Sequence, residues 1–208
     1  ALAVQGTPYR VVAQSSGFAS GDLSSTLASI TGQVVEMQDR NAILVRDDPA
    51  IIEGETFGGR FDAAMASTVI GHPVEVVRGW CAVDVRVGRA DLRVVNAHFE
   101  AFDAAVRTAQ ATQLVTEAIG AAGSRAATVV LGDINCRPPG SRPVIERMPD
   151  AAREVDGDAY EVLADSGLVD AWAAVHPADP CGGHTSGQAA DLRRALHYGD
   201  FTALVLAQ

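Results

Sequence analysis

Alternating hydrophobic and polar positions predict β-strands, most clearly in the middle of the chain. Trp80–Val87 alternates with period two, a turn follows at 88–91, and Leu92–His98 alternates again. This pattern predicts an antiparallel hairpin. Tyr9–Ala13 is a further short strand, and Thr128–Leu131 is an apolar run typical of a buried central strand.

Other segments give weaker strand patterns. Val34–Met37 and Ala42–Val45 flank a polar stretch at 38–41, which predicts a hairpin with its turn there. Ile51–Arg60 contains three glycines and is expected to form an exposed loop or a ragged hairpin. Phe201–Ala207 is predicted as a last strand.

Two helices are predicted. Ala104–Gly120 follows Asp103, a suitable N-cap residue, and Tyr160–Ala164 is a short second helix. The longer helix carries one apolar stripe, formed by Ala111, Leu114, Val115, Ala118, Ile119 and Ala122. Because helices and strand hairpins are interleaved, a mixed sheet or a sandwich of sheets with outer helices is favoured over a purely parallel fold.

Length and charge narrow the class of protein. The chain has 208 residues, which fits a single domain covering 1–208, and its net charge is −10 with a pI near 4.8. Its longest basic cluster is Arg193-Arg194, so a tight non-specific grip on DNA is disfavoured. A phosphate held by a bound metal remains compatible with this charge, since the metal supplies the positive charge.

The sequence gives little information about the compartment or about disulfide bonds. We expect no transmembrane helix and find no signal-peptide pattern, so the protein is expected to be soluble, either cytoplasmic or secreted with its targeting segment absent. Its three cysteines do not form a disulfide framework, although a single disulfide is allowed. Without a C-x-x-C pair, a structural zinc is not expected.

Polar side chains end the strand at 92–98. Asn96 and His98 share a face with the apolar Leu92 and Val94, which would bring an amide and an imidazole to the rim of the core. The alternative is a histidine that only hydrogen-bonds at the end of a strand.

The segment at 127–135 ends in a similar way. Asp133 and Asn135 follow Gly132 and share one side, and their oxygens suit Mg²⁺, Mn²⁺ or Ca²⁺. The alternative is a turn in which Asp and Asn bond the local backbone.

Together, these segments resemble the endonuclease/exonuclease/phosphatase, or DNase I-like, superfamily. N-A-H-F-E at 96–100 resembles the family motif N-T-H-L-E, and G-D-I-N at 132–135 resembles G-D-F-N. Further matches, in the family order, are Arg107 and Gln110 in R-x-x-Q, the strand at 39–46, and L-V-D-A-W at 168–172. The resemblance implies an α+β sandwich of two mixed β-sheets flanked by helices.

The resemblance also implies roles. His98 would hydrogen-bond a phosphate oxygen, Asp133 would orient or deprotonate the attacking water, and Asn135 would hold phosphate or metal beside it. Asp170 would orient a catalytic histidine near the C-terminus, and Asn96 would support the site. Asp133 and Asn135 would bind the metal, expected to be Mg²⁺ or Mn²⁺. The reaction would be hydrolysis of a phosphodiester or phosphomonoester, with a small molecule or lipid head group favoured over DNA.

Two family segments have no counterpart in the chain. There is no Gln-Glu strand end, which in the family supplies the principal metal ligand, and no Ser-Asp-His near the C-terminus; His197 is a weak replacement for that histidine. The domain is therefore expected to be incomplete at both ends, or to be a divergent homologue, and poorly active alone. The alternatives are a non-catalytic phosphate-binding or scaffolding domain on the same fold, and an unrelated α/β domain.

Overall fold

The protein is described from a computed structural model. The structure describes residues 8–19, 38–69, 71–120, 126–136 and 158–181, together with short pieces at 24–25, 28–29, 32–34, 36 and 138–139. The predicted strand at 201–207 and His197 lie outside the described residues.

The described part includes eight strands and three helices with defined bounds. The strands are β1 (Tyr9–Ala19), β2 (Gln38–Arg46), β3 (Ile51–Arg60), β4 (Met65–Val69), β5 (His72–Val76), β6 (Gly79–Val87), β7 (Ala90–His98) and β8 (Ala127–Asp133). The helices are α1 (Ala104–Leu114), continued by a π-helical turn at Val115–Ile119, then α2 (Asp158–Asp165) and α3 (Ala171–Val175).

The largest sheet has four strands in the order β3-β6-β7-β8. The β6–β7 pair is the predicted antiparallel hairpin, so that prediction is confirmed. β8 pairs in parallel with β7 and is the last strand of the sheet as far as it is described. Two neighbouring parallel strands need a long crossover connection between them. Between β7 and β8, α1 and its π-helical turn form part of that connection.

Both faces of this sheet are covered, and this makes the molecule a layered α+β structure. On one face Val95 and Val130 pack against Ala111 and Leu114 of α1, all fully buried. On the other face the two-stranded sheet β1-β2 packs against the alternate residues, including Cys81, Val83 and Val85. Because β-strand side chains alternate, the two middle strands, β6 and β7, contribute to both cores.

The predicted turn at 38–41 is wrong: these residues lie inside β2, which pairs antiparallel with β1. In β2, inward and outward residues alternate from Asp39 onward, so the polar Asn41 occupies a buried position in the same row as Ile43 and Val45. Asn41 is satisfied there by donating to the carbonyl oxygen of Gly79 at 2.9 Å. The polar residues at 38–41 suggested a turn, because buried positions are usually apolar. The hydrogen bond that compensates the burial of Asn41 forms only in the folded protein.

The predicted loop or hairpin at 51–60 is also wrong, because this segment is the edge strand β3, paired with β6 across a bulge. A Cβ atom added at Gly58 would lie 3.0 Å from the carbonyl oxygen of Trp80. The glycines that suggested a loop therefore allow a close approach between two strands.

The remaining local predictions are mostly confirmed. Asp103 caps α1 by accepting from the backbone N–H of Val106 at 3.0 Å, and the predicted short helix is α2. All three cysteines are free thiols. Within the described part, no helix is long and apolar enough to cross a membrane.

Candidate active site

The ends of the parallel strands β7 and β8 bring the two predicted motifs together. His98 and Asp133 are register partners at the C-terminal ends of these strands. Their side chains face each other, with His98 Nε2 3.9 Å from Asp133 Oδ2, and both side chains are partly exposed. An imidazole and a carboxylate therefore stand together at neighbouring strand ends, both partly open to solvent.

Gly132 permits this close approach. Its φ angle is +123°, a conformation that residues with a side chain rarely adopt. A Cβ atom at this position would collide with the carbonyl oxygen of Ala97 and lie 2.6 Å from Asn96 Oδ1. The glycine before Asp133 is therefore required by the packing of β8 against β7.

The segments that follow the two strands are also tied together. The N–H of Phe99 donates to the carbonyl oxygen of Asp133, and Asn135 Nδ2 donates to the carbonyl oxygen of Phe99, both at 2.9 Å. Asn135 has a φ angle of +47°, which asparagine tolerates better than most residues. The amide of Asn135 is thus held in place beside Asp133, and the predicted pair Asp133 and Asn135 is spatially close to His98.

Asp133 has a carboxylate that is only partly satisfied. Its Oδ1 atom is buried and has no hydrogen-bond partner. Burial raises the pKa of this carboxyl above its ordinary value, while the charge of His98 and the backbone N–H of Asn135 lower the pKa in part. A buried carboxylate oxygen without a donor can accept from a water molecule or bind a cation.

The structure adds Asp39 and Arg78, which the sequence reasoning did not place in the site. Asp39 Oδ2 accepts from Arg78 Nη1 at 2.7 Å and lies 3.1 Å from His98 Nδ1. Arg78 Nη1 also lies 3.3 Å from the same imidazole nitrogen. Because arginine only donates and an ionised aspartate only accepts, a proton on Nδ1 is directed to Asp39. Nε2 then faces Asp133.

A weak signal for Asp39 was present in the sequence. Asp39, Asn41, Ile43 and Val45 are spaced by two residues, which is the pattern of one strand face. Extending the strand backward from the apolar residues would have placed Asp39 at its end, as with His98. For Arg78 the sequence offered only its place just before the β6 strand.

Glu100, which the sequence left without a role, is fully buried. Its Oε1 atom accepts from the N–H of Phe102 at 2.9 Å, and its Oε2 atom lies 3.5 Å from Arg78 Nε. Arg107 and Gln110, the helix pair of the family pattern, bond the backbone of this residue. Glu100 therefore connects the start of α1 to the arginine of the site.

Asp170 sits in a different environment. Its Oδ1 atom caps α3 by accepting from the N–H of Ala173, and its Oδ2 atom accepts from the hydroxyl of Tyr160, both at 3.1 Å. Burial and the nearby Asp170 charge raise the pKa of the Tyr160 hydroxyl. Among the described residues, no contact joins Asp170 to His98 or Asp133, and its role with a C-terminal histidine stays a prediction.

The residues present are compatible with a magnesium-type cation, although they do not enclose one. In the described part of the chain, no three His, Cys, Asp or Glu side chains are arranged so that they alone could hold a metal ion. Mg²⁺ commonly binds one or two carboxylates and completes its shell with water and substrate phosphate. The unpartnered Oδ1 atom of Asp133, beside the amide of Asn135, fits that mode of binding.

Comparison with solved structures identifies the fold. The catalytic domain of human nocturnin, solved with a bound sulfate anion, superposes with a TM-score of 0.54 at 13% identity, over 99% of this chain and 62% of the nocturnin chain. The chain has the DNase I-like fold.

Two further solved structures match with lower TM-scores. TDP2 of D. rerio, complexed with a single-strand DNA product, has a TM-score of 0.47 at 13% identity, over 99% of this chain and 72% of that one. A mannosyl-6-phosphatase of Bacteroides thetaiotaomicron has 0.45 at 17% identity, over 79% and 51%. The sequence matches no protein-family model and no curated protein. The layered sheets and helices, together with the nocturnin match, confirm the predicted α+β sandwich. The chain spans less than two thirds of the nocturnin domain.

Proposed function

We propose that this chain forms the phosphate-binding centre of a metal-dependent phosphoesterase that hydrolyses a phosphodiester or phosphomonoester. The observation that carries the proposal is the pairing of His98 with Asp133 at the ends of two parallel strands, with one oxygen of Asp133 buried and unpartnered. A carboxylate of this kind is suited to orient and deprotonate a water molecule.

Each side chain has a role in the proposed reaction. Asp133 takes a proton from the attacking water, and His98 hydrogen-bonds a non-bridging phosphate oxygen, where negative charge develops. Asp39 holds the ring of His98 through Nδ1, and Arg78 adds a fixed positive charge beside it. Asn135 contributes an amide, held by its bond to Phe99, for phosphate or metal.

A divalent cation completes the proposed site. Mg²⁺ or Mn²⁺ would bind Asp133 and Asn135, and it would supply positive charge that stabilises the phosphate and the departing oxyanion. The net charge of −10 favours a small phosphoester, free or as a lipid head group, over long DNA, because a polyanion would be repelled.

The test is hydrolysis of bis-p-nitrophenyl phosphate with Mg²⁺ and with Mn²⁺. We expect Asp133→Asn to lower kcat/KM by about 10³-fold, the usual contribution of a positioned acid or base. Asp91→Asn is the matched control, since Asp91 pairs with Arg86 at an exposed hairpin turn. Equal rates in the wild type, Asp133→Asn and Asp91→Asn would refute the proposed centre.

A second candidate function is phosphate binding without turnover. It is favoured because no three metal-binding side chains among the described residues are arranged so that they alone could hold a metal ion. Under this alternative, no variant hydrolyses the diester, yet inorganic phosphate binds to the wild type and binds more weakly to His98→Asn. Calorimetric titration with phosphate distinguishes the two functions.

A further inference from the structure

The interior of the protein holds a glutamate that has no part in the reaction as described so far. Glu100 has no exposed surface, although glutamate is among the residues that are least often fully buried. A buried carboxylate lowers stability unless a positive charge or hydrogen-bond donors lie beside it. The contacts of its two oxygens therefore indicate what this side chain does.

The two oxygens of the Glu100 carboxylate have different partners. Oε1 accepts from the N–H of Phe102 at 2.9 Å, which fixes the chain just before α1 begins. Oε2 lies 3.5 Å from Nε of Arg78, and neither of these two buried atoms has a hydrogen-bond partner among the described residues. Oε1 thus holds the local backbone, whereas Oε2 opposes the charge of Arg78.

The guanidinium of Arg78 lies between Glu100 and the proposed centre. Its Nε is beside Glu100, while its Nη1 donates to Asp39 at 2.7 Å and lies 3.3 Å from Nδ1 of His98. Because a guanidinium is planar and rigid, the position of Nε constrains where Nη1 lies. The ion pair with Glu100 therefore holds the group that contacts Asp39 and His98.

Two buried side chains of α1 hold Glu100 itself. Gln110 accepts from the backbone N–H of Glu100 at 2.8 Å, and Arg107 donates to its carbonyl oxygen. These two residues are the R-x-x-Q pair of the sequence. Their contacts fix the backbone of Glu100, and through it the position of the carboxylate relative to Arg78.

We propose that Glu100 is a positioning residue for the phosphoesterase centre and that it acts through Arg78. The inference rests on the proposed function, because it gives Glu100 an effect on the same reaction. By pairing with Nε, Glu100 keeps Nη1 of Arg78 against Asp39, which in turn holds Nδ1 of His98. Without this charge the guanidinium shifts, and the imidazole that binds the phosphate oxygen loses its fixed orientation.

The variant Glu100→Gln separates the two oxygens of the carboxylate. The amide oxygen can still accept from Phe102, whereas the amide NH2 group places a donor against the Nε–H of Arg78. We expect kcat for bis-p-nitrophenyl phosphate to fall about tenfold, as for other residues that orient an active-site group, while KM changes by less than about twofold. An unchanged kcat in an active protein overturns the inference.

Asp103→Ala is the matched control. It removes the N-cap of α1 close to Glu100, yet Asp103 has no hydrogen bond or ion pair with Arg78 among the described residues. The start of the helix is destabilised, but kcat per folded molecule should stay unchanged. A fall in kcat equal to that of Glu100→Gln would overturn the inference, because loosening of the helix start would then explain both.

A double-mutant cycle tests whether the effect passes through Arg78. In an Arg78→Gln background, Glu100→Gln should lower kcat further by less than about twofold, because the guanidinium that it positions is gone. Losses that multiply as independent effects would overturn the inference.

A measurement that needs no turnover separates this inference from the proposed function. Nuclear magnetic resonance of isotope-labelled protein detects the Nε–H of Arg78 and the ring nitrogens of His98, assigned by their loss in Arg78→Lys and His98→Asn. We expect both sets of resonances to shift in Glu100→Gln and to stay in place in Asp103→Ala. The Arg78 signal reports the direct contact, and the His98 signals report its effect on the site.

The resonances and the assay together distinguish the two proposals. If the His98 signals shift in Glu100→Gln but the wild type does not hydrolyse the diester, Glu100 still positions Arg78 and His98, and the proposed function fails. If the His98 signals do not shift, the inference is overturned whatever the activity, while the proposed hydrolysis stands on Asp133. Should Arg78→Gln not fold, these resonances decide in place of the double-mutant cycle.

Discussion

Asp133 and Asp170 are both partly shielded aspartates that the family pattern singles out, yet their surroundings differ. Both carboxylate oxygens of Asp170 accept hydrogen bonds within the fold, one at the N-cap of α3 and one from the hydroxyl of Tyr160. Asp133 keeps one buried oxygen without a partner, and burial raises the pKa of its carboxyl. A carboxylate whose oxygens are all bonded stabilises the fold, whereas one left unsatisfied is available for a substrate, a water or a cation.

The largest expected effect concerns the backbone that delivers Asp133. We predict that Gly132→Ala lowers the free energy of unfolding by about 3 kcal/mol or more, since the methyl group collides with Ala97 in a positive-φ position. Denaturant unfolding followed by circular dichroism measures the loss.

Gly88→Ala is the matched control for that prediction. Gly88 also has a positive φ angle, +63°, but a Cβ atom there meets nothing within 4 Å. Only the conformational cost of about 1 kcal/mol is then expected. Equal losses in the two variants would mean that the strand ends are not as closely packed as the contact between Gly132 and Ala97 requires.

The second effect concerns the partner of His98. We predict that Asp39→Asn lowers kcat/KM for bis-p-nitrophenyl phosphate by about ten- to a hundredfold, because the amide no longer fixes the imidazole or pairs with Arg78 as a charge. Asp91→Asn again serves as the exposed control. Unchanged activity in Asp39→Asn would show that His98 is oriented without it.

The smallest effect concerns Asp170. We predict that Asp170→Asn and Tyr160→Phe each lower the free energy of unfolding by about 1 kcal/mol, since each removes part of the same hydrogen-bonded corner. Activity per folded molecule should change by less than about threefold. Thermal unfolding and the diester assay measure the two quantities on the same samples.

The same variants test whether Asp170, like Asp133, acts on the reaction. A fall in activity of more than about tenfold, without a matching loss of stability, would mean that Asp170 acts on the reaction as the family resemblance implies. The carboxylate would then serve both the fold and a catalytic histidine outside the described residues.

Local patterns in the sequence were sufficient for some elements and not for others. The hairpin of β6 and β7, the cap of α1 and the apolar β8 were all predicted, because each depends on neighbouring residues. β2 and β3 were mistaken for a turn and a loop, because Asn41 and Gly58 acquire their roles only against Gly79 and Trp80. Asparagine and glycine are both common in turns, so each favours a turn or loop prediction until its partner strand is known.

The sequence alone places His98 and Asp133 at the ends of two strands, with Asn135 two residues further on, because period-two alternation and the glycine before Asp133 can be read along the chain. The tertiary structure brings Asp39 and Arg78 to them. These residues are 59 and 20 positions from His98, and sheet packing across that distance depends on the whole core. It also decided that Asp133 keeps a free oxygen and Asp170 does not, since hydrogen-bond partners are assigned by folding and not by residue type.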